Sequence, residues 1–293
     1  MRAQYTLLLI ILFIVLPFNL FAYIEGEVST DSIRLIWDRK AEQWDKFVGR
    51  DGKQDLNRKL QSDPVMMSFI GDASEKVVLD AGCGTGYLSK EILNNAGAKR
   101  VIGVDISGEM IRIARENNLN ESNLSFEVDN ISTLESVAEN SIDIIVSNYV
   151  LMDVPDLKGA LKSFKRVLKT SGKVIFTILH PCFPLAGHKY NESEKIVNYT
   201  WETSYFENHV VSVPEFSKEF DSSFTVFHRS LGDYISLFIN NCFSLKNFKE
   251  PVIQEVDKEL INEEIYEFFR RSPLSAFFVF ELTESNKHNT ASY

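Results

Sequence analysis

The sequence predicts a doubly wound α/β fold, with a mostly parallel seven-stranded sheet, helices on both faces and an insertion after the fifth strand. Three observations support this prediction. Short apolar runs alternate with amphipathic segments from Lys76 onward. The first apolar run ends in closely spaced glycines in front of a helical segment. Between about 180 and 229 the periodicity fades, and strand and helix patterns then return.

The segment in front of the sheet is expected to be helical. Residues 29–60 are polar and helix-permissive, and Trp37 and Trp44 lie seven positions apart, on the same face of a helix. A short apolar helix, Val65–Ile70, follows and ends at Gly71.

Strands and helices then alternate along the chain. The predicted strands are Lys76–Asp80, Arg100–Asp105, Leu124–Val128, Ile142–Ser147, Lys173–Leu179, Phe248–Glu255 and Ala276–Leu282. The predicted helices are Tyr87–Asn95, a helix N-capped by Ser107 that runs through Asn117, Leu157–Leu168, Ser230–Cys242 and Lys258–Arg271.

The predicted organisation has three parts: a hydrophobic segment at 1–23, one α/β domain at 24–284 and a loose polar tail at 285–293. Within the domain, 181–229 is expected to form an insertion over the carboxyl edge of the sheet. Aromatic residues accumulate in this stretch. They favour an apolar or aromatic ligand, and packing within the insertion explains them equally well.

Charge and cysteine content exclude some classes of protein. The formal net charge is −10, and no basic stripe is present, which argues against nucleic acid as a partner. The basic residues Lys162, Lys165, Arg166 and Lys169 have helical spacing and are expected to form a solvated helix face. Three scattered cysteines and no Cys/His cluster predict neither a disulfide framework nor a metal site.

The segment 6–22 carries no charge and is rich in Leu, Ile, Val and Phe. Its length is near the lower limit for spanning a hydrocarbon core of about 30 Å. The single early charge at Arg2 and the small residue Ala22 are also typical of a signal peptide. An uncleaved membrane anchor and a cleaved signal both remain open, and a mis-set start codon or a peripheral segment is the third alternative.

The most informative segment is Val77-Val78-Leu79-Asp80-Ala81-Gly82-Cys83-Gly84-Thr85-Gly86. Glycines at this spacing after a strand let the backbone approach a ligand without side-chain clashes. The dinucleotide fingerprint would need its third glycine at position 87, which is Tyr87. Together with Asp80 directly before the loop, the spacing favours a nucleoside with an amino-acid tail over a pyrophosphate.

Asp105 ends the second predicted strand, about 20 residues after Gly86, the spacing expected for an acid that accepts both ribose hydroxyls. An acid that stabilises the start of the next helix would lie in the same place. Beside the glycine loop, the ribose role is favoured.

The stretch Asp80–Gly86 resembles the first motif of class I S-adenosylmethionine-dependent methyltransferases, a Rossmann-like family. It is most similar to the small-molecule branch that includes ubiquinone and menaquinone biosynthesis enzymes, and the resemblance extends over residues 37–282. It implies methyl transfer from S-adenosylmethionine to a small-molecule acceptor. The cofactor-binding residues that it implies are Asp80, Gly82, Cys83, Gly84, Gly86, Asp105, Ile106, Met110, Asp129, Asn130, Ile131, Asn148 and Tyr149.

The resemblance also implies roles for these residues. Asp80 and the glycine loop would hold the methionine end, while Ile106 and Met110 would flank the adenine. Asp129 would contact the adenine amino group, and Asn148-Tyr149 would line the methionine moiety. The stretch from Trp37 to Trp44 resembles the helix that closes over the cofactor, although the family usually has tyrosine where this chain has Trp37.

His180 follows the fifth predicted strand, where ligands of parallel sheets bind. A histidine there is a candidate general base, because its usual pKa lies near neutrality. A hydrogen-bonded turn residue before Pro181 is the alternative. A hydroxyl or amine acceptor would need such a base, whereas a thiol or an acidic carbon would need little.

Two other functions remain open. An NAD(P)-dependent oxidoreductase would share the fold, although the glycine spacing and Asp80 count against it. A membrane-tethered module that binds the cofactor without catalysis is the second alternative.

Location presents a conflict. Arg2 precedes the apolar segment and Glu25, Glu27 and Asp31 follow it, so the positive-inside rule would place the domain outside the cell. S-adenosylmethionine is made inside cells, and Asn130-Ile131-Ser132 is a glycosylation acceptor pattern within the expected adenine pocket. We therefore expect a cytosol-facing domain anchored through the N-terminus, with export after signal cleavage as the alternative.

Overall fold

The computed structural model describes residues 22–24, 26–183, 187–191, 193–194, 196–201, 203–213, 220–261 and 263–283. Its main element is a sheet of seven strands, as the sequence predicts. In chain order these strands are β2 (Val77–Ala81), β3 (Arg100–Asp105), β4 (Leu124–Val128), β5 (Ile142–Asn148), β6 (Leu168–Leu179), β11 (Phe243–Lys249) and β12 (Ser275–Leu282). Across the sheet the order is β11-β12-β6-β5-β2-β3-β4.

The five strands from β2 to β6 are parallel to one another. β12 pairs with β6 and β11 pairs with β12, both antiparallel. The chain order turns back at β2, which lies between β3 and β5. Loops after neighbouring strands diverge at such a point and leave a crevice at the carboxyl edge of the sheet. The mostly parallel, doubly wound fold predicted from the sequence is therefore confirmed.

Seven helices accompany the strands in the described residues. They are α1 (Thr30–Val48), α2 (Asp63–Ile70), α3 (Tyr87–Asn95), α4 (Gly108–Asn117), α5 (Leu157–Val167), α6 (Leu231–Asn240) and α7 (Glu263–Arg271). A π-helical turn, Arg58–Ser62, leads into α2, and a 3₁₀ turn, Leu151–Asp153, follows β5. Ser107 caps α4 by accepting a hydrogen bond from the backbone N–H of Met110, as predicted.

Side chains alternate between two hydrophobic clusters on opposite faces of the sheet. Leu79 packs in the cluster that includes residues of α5 and α6, and Val78 packs in the cluster that includes residues of α2 and α3. Phe176 is fully buried, and its ring stacks on those of Phe238 and Phe278 at 4.8 and 4.7 Å between centroids. Burial on both faces explains why the central strands consist mainly of apolar residues.

The stretch between β6 and α6 holds two hairpins. β7 (Gly187–Asn191) pairs with β8 (Ile196–Thr200), and β9 (His209–Val213) pairs with β10 (Phe224–His228). A short strand, β1 (Ala22–Tyr23), adds to the free edge of β9. These strands lie where the insertion was predicted, while the limits of the domains themselves stay predictions.

Two elements near the C-terminus differ from the prediction. The strand expected at Phe248–Glu255 is observed at Phe243–Lys249, because Pro251 has no N–H to donate to a ladder. The single helix expected at Lys258–Arg271 is divided into a 3₁₀ helix, Glu255–Leu260, and α7.

Among the described residues, no helix combines the length and apolar character that crossing a bilayer requires. The apolar segment 6–22 lies outside the described residues except for Ala22, and so does the tail 285–293.

Candidate active site

A cavity of about 890 Å³, including its open mouth, lies at the carboxyl edge of the sheet. It is lined by residues that follow β2, β3, β4 and β5 and by residues of α1. The lining residues are Thr30, Ile33, Trp37, Trp44, Arg58, Asp80, Gly82, Cys83, Gly84, Tyr87, Leu88, Asp105, Ile106, Met110, Asn130, Ile131, Ser132, Asn148, Tyr149, Val150, Asp153, Val154 and Pro155. The structure thus brings most of the sequence-predicted site residues together.

The glycine loop forms one wall of the cavity. Gly82, Gly84 and Gly86 have φ values of 84°, 52° and 83°, in the left-handed region that favours glycine. A Cβ on Gly82 would overlap the side chain of Val150, and one on Gly86 would lie 2.7 Å from Phe126. Gly82 therefore allows close approach within the cavity, whereas Gly86 does not line it and serves the packing of α3.

Asp105 lies beside the glycine loop at the end of β3. Its Oδ2 accepts a hydrogen bond of 3.0 Å from the backbone N–H of Gly84, and its Oδ1 accepts one of 2.9 Å from that of Ser107. Burial raises the pKa of Asp105 to about 6, and these backbone donors oppose the rise. The carboxylate is thus oriented by the backbone before any ligand arrives.

Asp80 lines the cavity directly before the loop. It is 1% exposed, and Ser89 donates a hydrogen bond of 2.5 Å to its Oδ2. Burial raises the pKa of Asp80 to about 6, with a further contribution from the charge of Asp105. Burial also raises the pKa of the neighbouring Cys83 thiol well above its usual value, so this thiol stays neutral at physiological pH.

The predicted adenine side is only partly reproduced. Ile106, Met110, Asn130 and Ile131 line the cavity, but Asp129 does not. Oδ1 of Asp129 accepts a 2.7 Å hydrogen bond from the backbone N–H of Asn130, and its Oδ2 accepts a 2.8 Å bond from that of Ser136. Because these bonds hold the carboxylate to its own loop, contact between Asp129 and an adenine amino group would require them to rearrange.

Asn148 and Tyr149 lie at the end of β5, as the resemblance implies. Nδ2 of Asn148 donates to the hydroxyl of Tyr87 at 3.3 Å, and its buried Oδ1 has no hydrogen-bond partner in the described structure. Tyr149 has a left-handed backbone, with φ 58°, and its hydroxyl accepts a 2.8 Å hydrogen bond from Asn57. An unpartnered acceptor at the cavity wall indicates a place for a ligand donor.

The helix α1 covers the cavity with Trp37 and Trp44, whose rings meet edge to face at 5.3 Å. The same two rings also pack on Phe224 and Phe220, at 5.7 and 6.2 Å between centroids, and the Lys40 ammonium lies 4.3 Å from the centroid of the Phe224 ring. The insertion and α1 thus form one covering layer. In this layer the aromatic residues pack against each other as well as against the cavity.

The sequence pattern did not indicate Arg58 as a site residue, because a single arginine in a polar stretch belongs to no recognisable motif. It is 4% exposed, and its guanidinium carbon lies 5.2–5.4 Å from the ring centroids of Trp44, Tyr87 and Tyr149. Its Nη1 donates to the Tyr87 hydroxyl at 2.6 Å, and its buried Nε, 3.3 Å from Asp55, has no hydrogen-bond partner among the described residues. A buried cation with unused donors at a cavity wall is suited to bind an anionic group.

Asp153 was also missed, because it lies in an irregular turn after the predicted strand. It is 8% exposed and hydrogen-bonded to the side chain of Trp37. Burial raises its pKa well above the usual value, while Trp37 and the charge of Arg229 lower it. The cavity therefore contains a third buried carboxyl group, besides Asp80 and Asp105.

His180 does not line the cavity. Its Nδ1 accepts a 3.1 Å hydrogen bond from the backbone N–H of Cys182, and its Nε2 lies 2.7 Å from Oε1 of Glu250. Burial lowers its pKa, opposed by Glu250. Because Nδ1 acts as an acceptor, the proton lies on Nε2 and no lone pair of the ring faces a substrate, so the geometry favours the structural role over the general base.

Within the part of the chain that the structure describes, no group of three or more His, Cys, Asp or Glu side chains could hold a metal ion.

A family model for a methyltransferase domain matches residues 72–227. A ubiquinone biosynthesis O-methyltransferase from Idiomarina loihiensis is 34% identical over 122 residues, which are 40% of this chain and 49% of the relative. A malonyl-[acyl-carrier protein] O-methyltransferase from Hamiltonella defensa is 32% identical over 39% of this chain and 42% of the relative. The chain thus spans about half the length of these two curated relatives. An uncharacterised protein of Haemophilus influenzae is 25% identical over 77% of this chain and 92% of that protein.

Solved structures show the same fold. A putative S-adenosylmethionine-dependent methyltransferase from Listeria monocytogenes superposes with a TM-score of 0.62 at 23% identity, covering 75% of this chain and 96% of that one. An S-adenosylmethionine-dependent methyltransferase from Mesorhizobium loti gives a TM-score of 0.61 at 19% identity, covering 74% and 96%.

Proposed function

Because the chain belongs to the family of S-adenosylmethionine-dependent methyltransferases, we propose that its cavity holds S-adenosylmethionine across the ends of β2, β3 and β5 and exposes the methyl group to a small acceptor. One observation supports this assignment most strongly: Asp105, at the end of β3, accepts a hydrogen bond from the backbone N–H of Gly84 in the glycine loop after β2. The residues present fit the cofactor, because Asn148 offers a buried acceptor oxygen without a partner.

The nucleoside end would lie towards β3 and β4. Asp105 would accept hydrogen bonds from the ribose hydroxyls with the lone pairs that its two backbone donors leave free. Ile106, Met110 and Ile131 line this part of the cavity and would pack on the adenine faces. Asn130 lines the cavity and Asp129 does not, so Asn130 would be the polar residue closer to the adenine edge.

The amino-acid end would lie against the glycine loop. Oδ1 of Asn148 and the carboxylate of Asp80 would accept from the α-ammonium group. The guanidinium of Arg58, whose Nε has no hydrogen-bond partner among the described residues, would bind the α-carboxylate.

The acceptor would occupy the part of the cavity that α1 covers. Thr30, Ile33, Trp37, Val154 and Pro155 line this part, so it offers mainly apolar surface. A small acceptor with a hydrophobic body and one nucleophilic group fits such a site.

The chain would accelerate transfer chiefly by alignment. When bound, S-adenosylmethionine supplies a methyl group on a sulfonium that is already a strong donor. The glycine loop, Asn148 and Arg58 would fix one reactant, and α1 would exclude water from the space around it. In-line placement of the acceptor's nucleophile then accounts for most of the acceleration that the protein has to provide.

The orientation is tested by comparing S-adenosylmethionine with 5′-methylthioadenosine, which lacks the amino-acid tail. In the wild type we expect much tighter binding of S-adenosylmethionine by titration calorimetry. In an Arg58→Met variant this preference should fall about 10- to 150-fold, the effect of one hydrogen bond to a charged group. Arg50→Met, at an exposed position, is the matched control and should keep the wild-type preference.

A folded Arg58→Met protein that keeps the wild-type preference would remove Arg58 from the cofactor site. A wild-type protein that binds neither compound would contradict the placement of the cofactor as a whole.

Membrane attachment through residues 6–22 with a cytosol-facing domain remains a proposal. The segment's uncharged sequence supports it, and so does the position of Asn130 on the cavity wall, where a glycan would block the site. Protease accessibility on intact cells tests the orientation. A domain that is digested from outside would contradict it.

A further inference from the structure

Three carboxyl groups line the cavity, and they differ in how they are held. Asp80 accepts from Ser89, and Asp105 accepts from two backbone N–H groups. Among the described residues, the hydrogen-bond partner of the Asp153 side chain is Trp37, which belongs to the covering helix α1. A carboxylate that keeps most of its lone pairs free is the one of the three best able to take up a proton.

The turn that carries Asp153 is fixed from behind by Arg229. The guanidinium of Arg229 donates to the backbone oxygens of Leu151, Val154 and Pro155 at 3.3, 2.7 and 3.3 Å. Its other hydrogen-bond partner is the Tyr234 side chain, and it acts on Asp153 through its charge. The position of the Asp153 carboxyl group is thus set without a strong ion pair that would keep it ionised at all times.

Sheet topology places Asp153 on the acceptor side. Asp105 ends β3 on one side of β2, and Asp153 follows β5 on the other side. If the ribose lies on Asp105, the rest of the cofactor extends across β2 towards β5. The reacting end of the cavity is then the end that contains Asp153.

We propose that Asp153 accepts the proton that the methyl acceptor loses, so that the site serves acceptors with a hydroxyl or an amine group. This inference rests on the proposed function. In the step, a lone pair on the acceptor oxygen or nitrogen forms the bond to the methyl carbon. The carbon–sulfur bond breaks with its electron pair left on sulfur, and the acceptor's proton moves to the Asp153 carboxylate. The protonated carboxyl then loses the proton to solvent.

The charges around Asp153 make its protonation depend on the ligand. Burial and Asp105 favour the neutral form, whereas the Trp37 hydrogen bond and Arg229 favour the ionised form. Tyr234, behind the turn, is itself hydrogen-bonded to Arg229, and burial raises the pKa of Tyr234, so it stays neutral. A sulfonium in the cavity adds one positive charge, which lowers the pKa of Asp153. Binding of the methyl donor therefore favours the ionised carboxylate, which is the form that accepts a proton, more than the empty cavity does.

The test is the number of protons released on ligand binding, and it needs no knowledge of the acceptor. Calorimetric titrations in buffers of different ionisation enthalpy, between about pH 5.5 and 8, give this number for S-adenosylmethionine and for S-adenosylhomocysteine. The two ligands share the ribose and the amino-acid end, so protons displaced by those contacts cancel in the difference. The sulfonium charge also acts on Asp80 and Asp105, and the part of the difference that belongs to Asp153 is the part that Asp153→Asn removes. We expect the sulfonium ligand to release up to about one proton more than the neutral thioether.

Asp153→Asn should abolish this difference while both ligands still bind. Glu139→Gln, which removes an exposed acid outside the cavity, is the matched control and should keep the difference. If Asp153→Asn does not fold, Trp37→Phe serves instead. Loss of its indole donor should move the proton release to higher pH, because the ionised carboxylate loses a hydrogen bond.

Equal proton release for the two ligands in the wild type at every pH would overturn the inference. A difference that persists unchanged in Asp153→Asn, or in Trp37→Phe where it replaces that variant, would also overturn it. If the wild-type protein binds neither ligand, the result contradicts the proposed function rather than the role of Asp153.

Discussion

The backbone N–H of Gly84 donates a hydrogen bond to Oδ2 of Asp105 across 3.0 Å. The two residues belong to different loops, but β2 and β3 are parallel neighbours, so both loops leave the sheet at the same edge. The bond orients the carboxylate and fixes the glycine loop with one contact. A ligand that binds both therefore meets groups that are already in place, which reduces the entropy cost of binding.

The first prediction concerns pH. Asp105 and Asp80 both have pKa values raised to about 6 by burial, and both would act as acceptors in their ionised forms. Affinity for S-adenosylhomocysteine should therefore fall roughly tenfold for each of the two groups between about pH 7 and about pH 5, or roughly 100-fold for both together. Asp105→Asn should lose its share of this dependence. Calorimetry across this range provides the measurement, and a flat profile in the wild type would refute the prediction.

The free energy of unfolding of the ligand-free protein should change with pH in the opposite direction to the ligand affinity. A raised pKa means that the folded state holds these protons more tightly than the unfolded state. Asp105 and Asp80 therefore stabilise the free protein at low pH, and this contribution is lost as the pH rises through about 6. Denaturant titrations of the wild type and Asp105→Asn at several pH values measure the contribution.

A second prediction concerns Gly82. In Gly82→Ala the new Cβ would overlap Val150 at the cavity wall, at a backbone φ of 84° that alanine adopts only with strain. We expect a loss of about 1–2 kcal/mol of stability from the backbone alone, together with at least a tenfold loss of cofactor affinity from the displaced wall. Gly71→Ala is a suitable comparison, because φ is 65° there and the Cβ would have open space.

Gly71→Ala should lose stability and keep normal affinity. Calorimetry and thermal unfolding of both variants separate the two effects. Normal affinity in a folded Gly82→Ala protein would show that the close approach of Gly82 and Val150 does not shape the site.

The sequence was sufficient for the parts of this molecule that local pattern determines. Arg100–Asp105 and Leu124–Val128 are strands with the predicted bounds, because apolar runs between turn residues are local signals. Arg58 and Asp153 could not be found in this way. The role of Arg58 depends on contacts with three aromatic rings from distant segments, and that of Asp153 depends on its contact with Trp37. Neither contact is visible in the local sequence.

Asp129 illustrates the reverse case. Its place after β4 fits the family pattern, but the Asp129 carboxylate binds the backbone of its own loop, and Asn130 lines the cavity instead. Which of two neighbouring polar side chains turns inward depends on the loop that follows. Motif spacing does not encode that choice.

A third prediction concerns the hydroxyl of Tyr149. It accepts a hydrogen bond from Asn57 at 2.8 Å and shares another with Ser275 at 2.5 Å. Tyr149→Phe should lower the free energy of unfolding by about 1–3 kcal/mol, because it leaves buried partners unpaired. Adding Ser275→Ala should cost less than the two single changes together, since the partner is removed as well. Additive losses in urea titrations would show that the two hydroxyls do not depend on each other.

A fourth prediction concerns the core. Phe176 is fully buried and stacks on rings from α6 and β12. Phe176→Ala should therefore lower the free energy of unfolding by about 3–5 kcal/mol. Phe206→Ala, at a ring that is 83% exposed, should change it by less than about 0.5 kcal/mol. Similar losses for both variants in chemical denaturation would contradict the assignment of Phe176 to the centre of the core.

The most direct test of the central claim is calorimetric titration of S-adenosylmethionine into the wild type, Asp105→Ala and the exposed-site control Glu139→Ala. We expect binding near the micromolar range in the wild type and the control. We expect it to be about 10- to 150-fold weaker in Asp105→Ala, because a charged acceptor for the ribose is lost. No binding to the folded wild-type protein, or equal affinity in Asp105→Ala, would contradict the account.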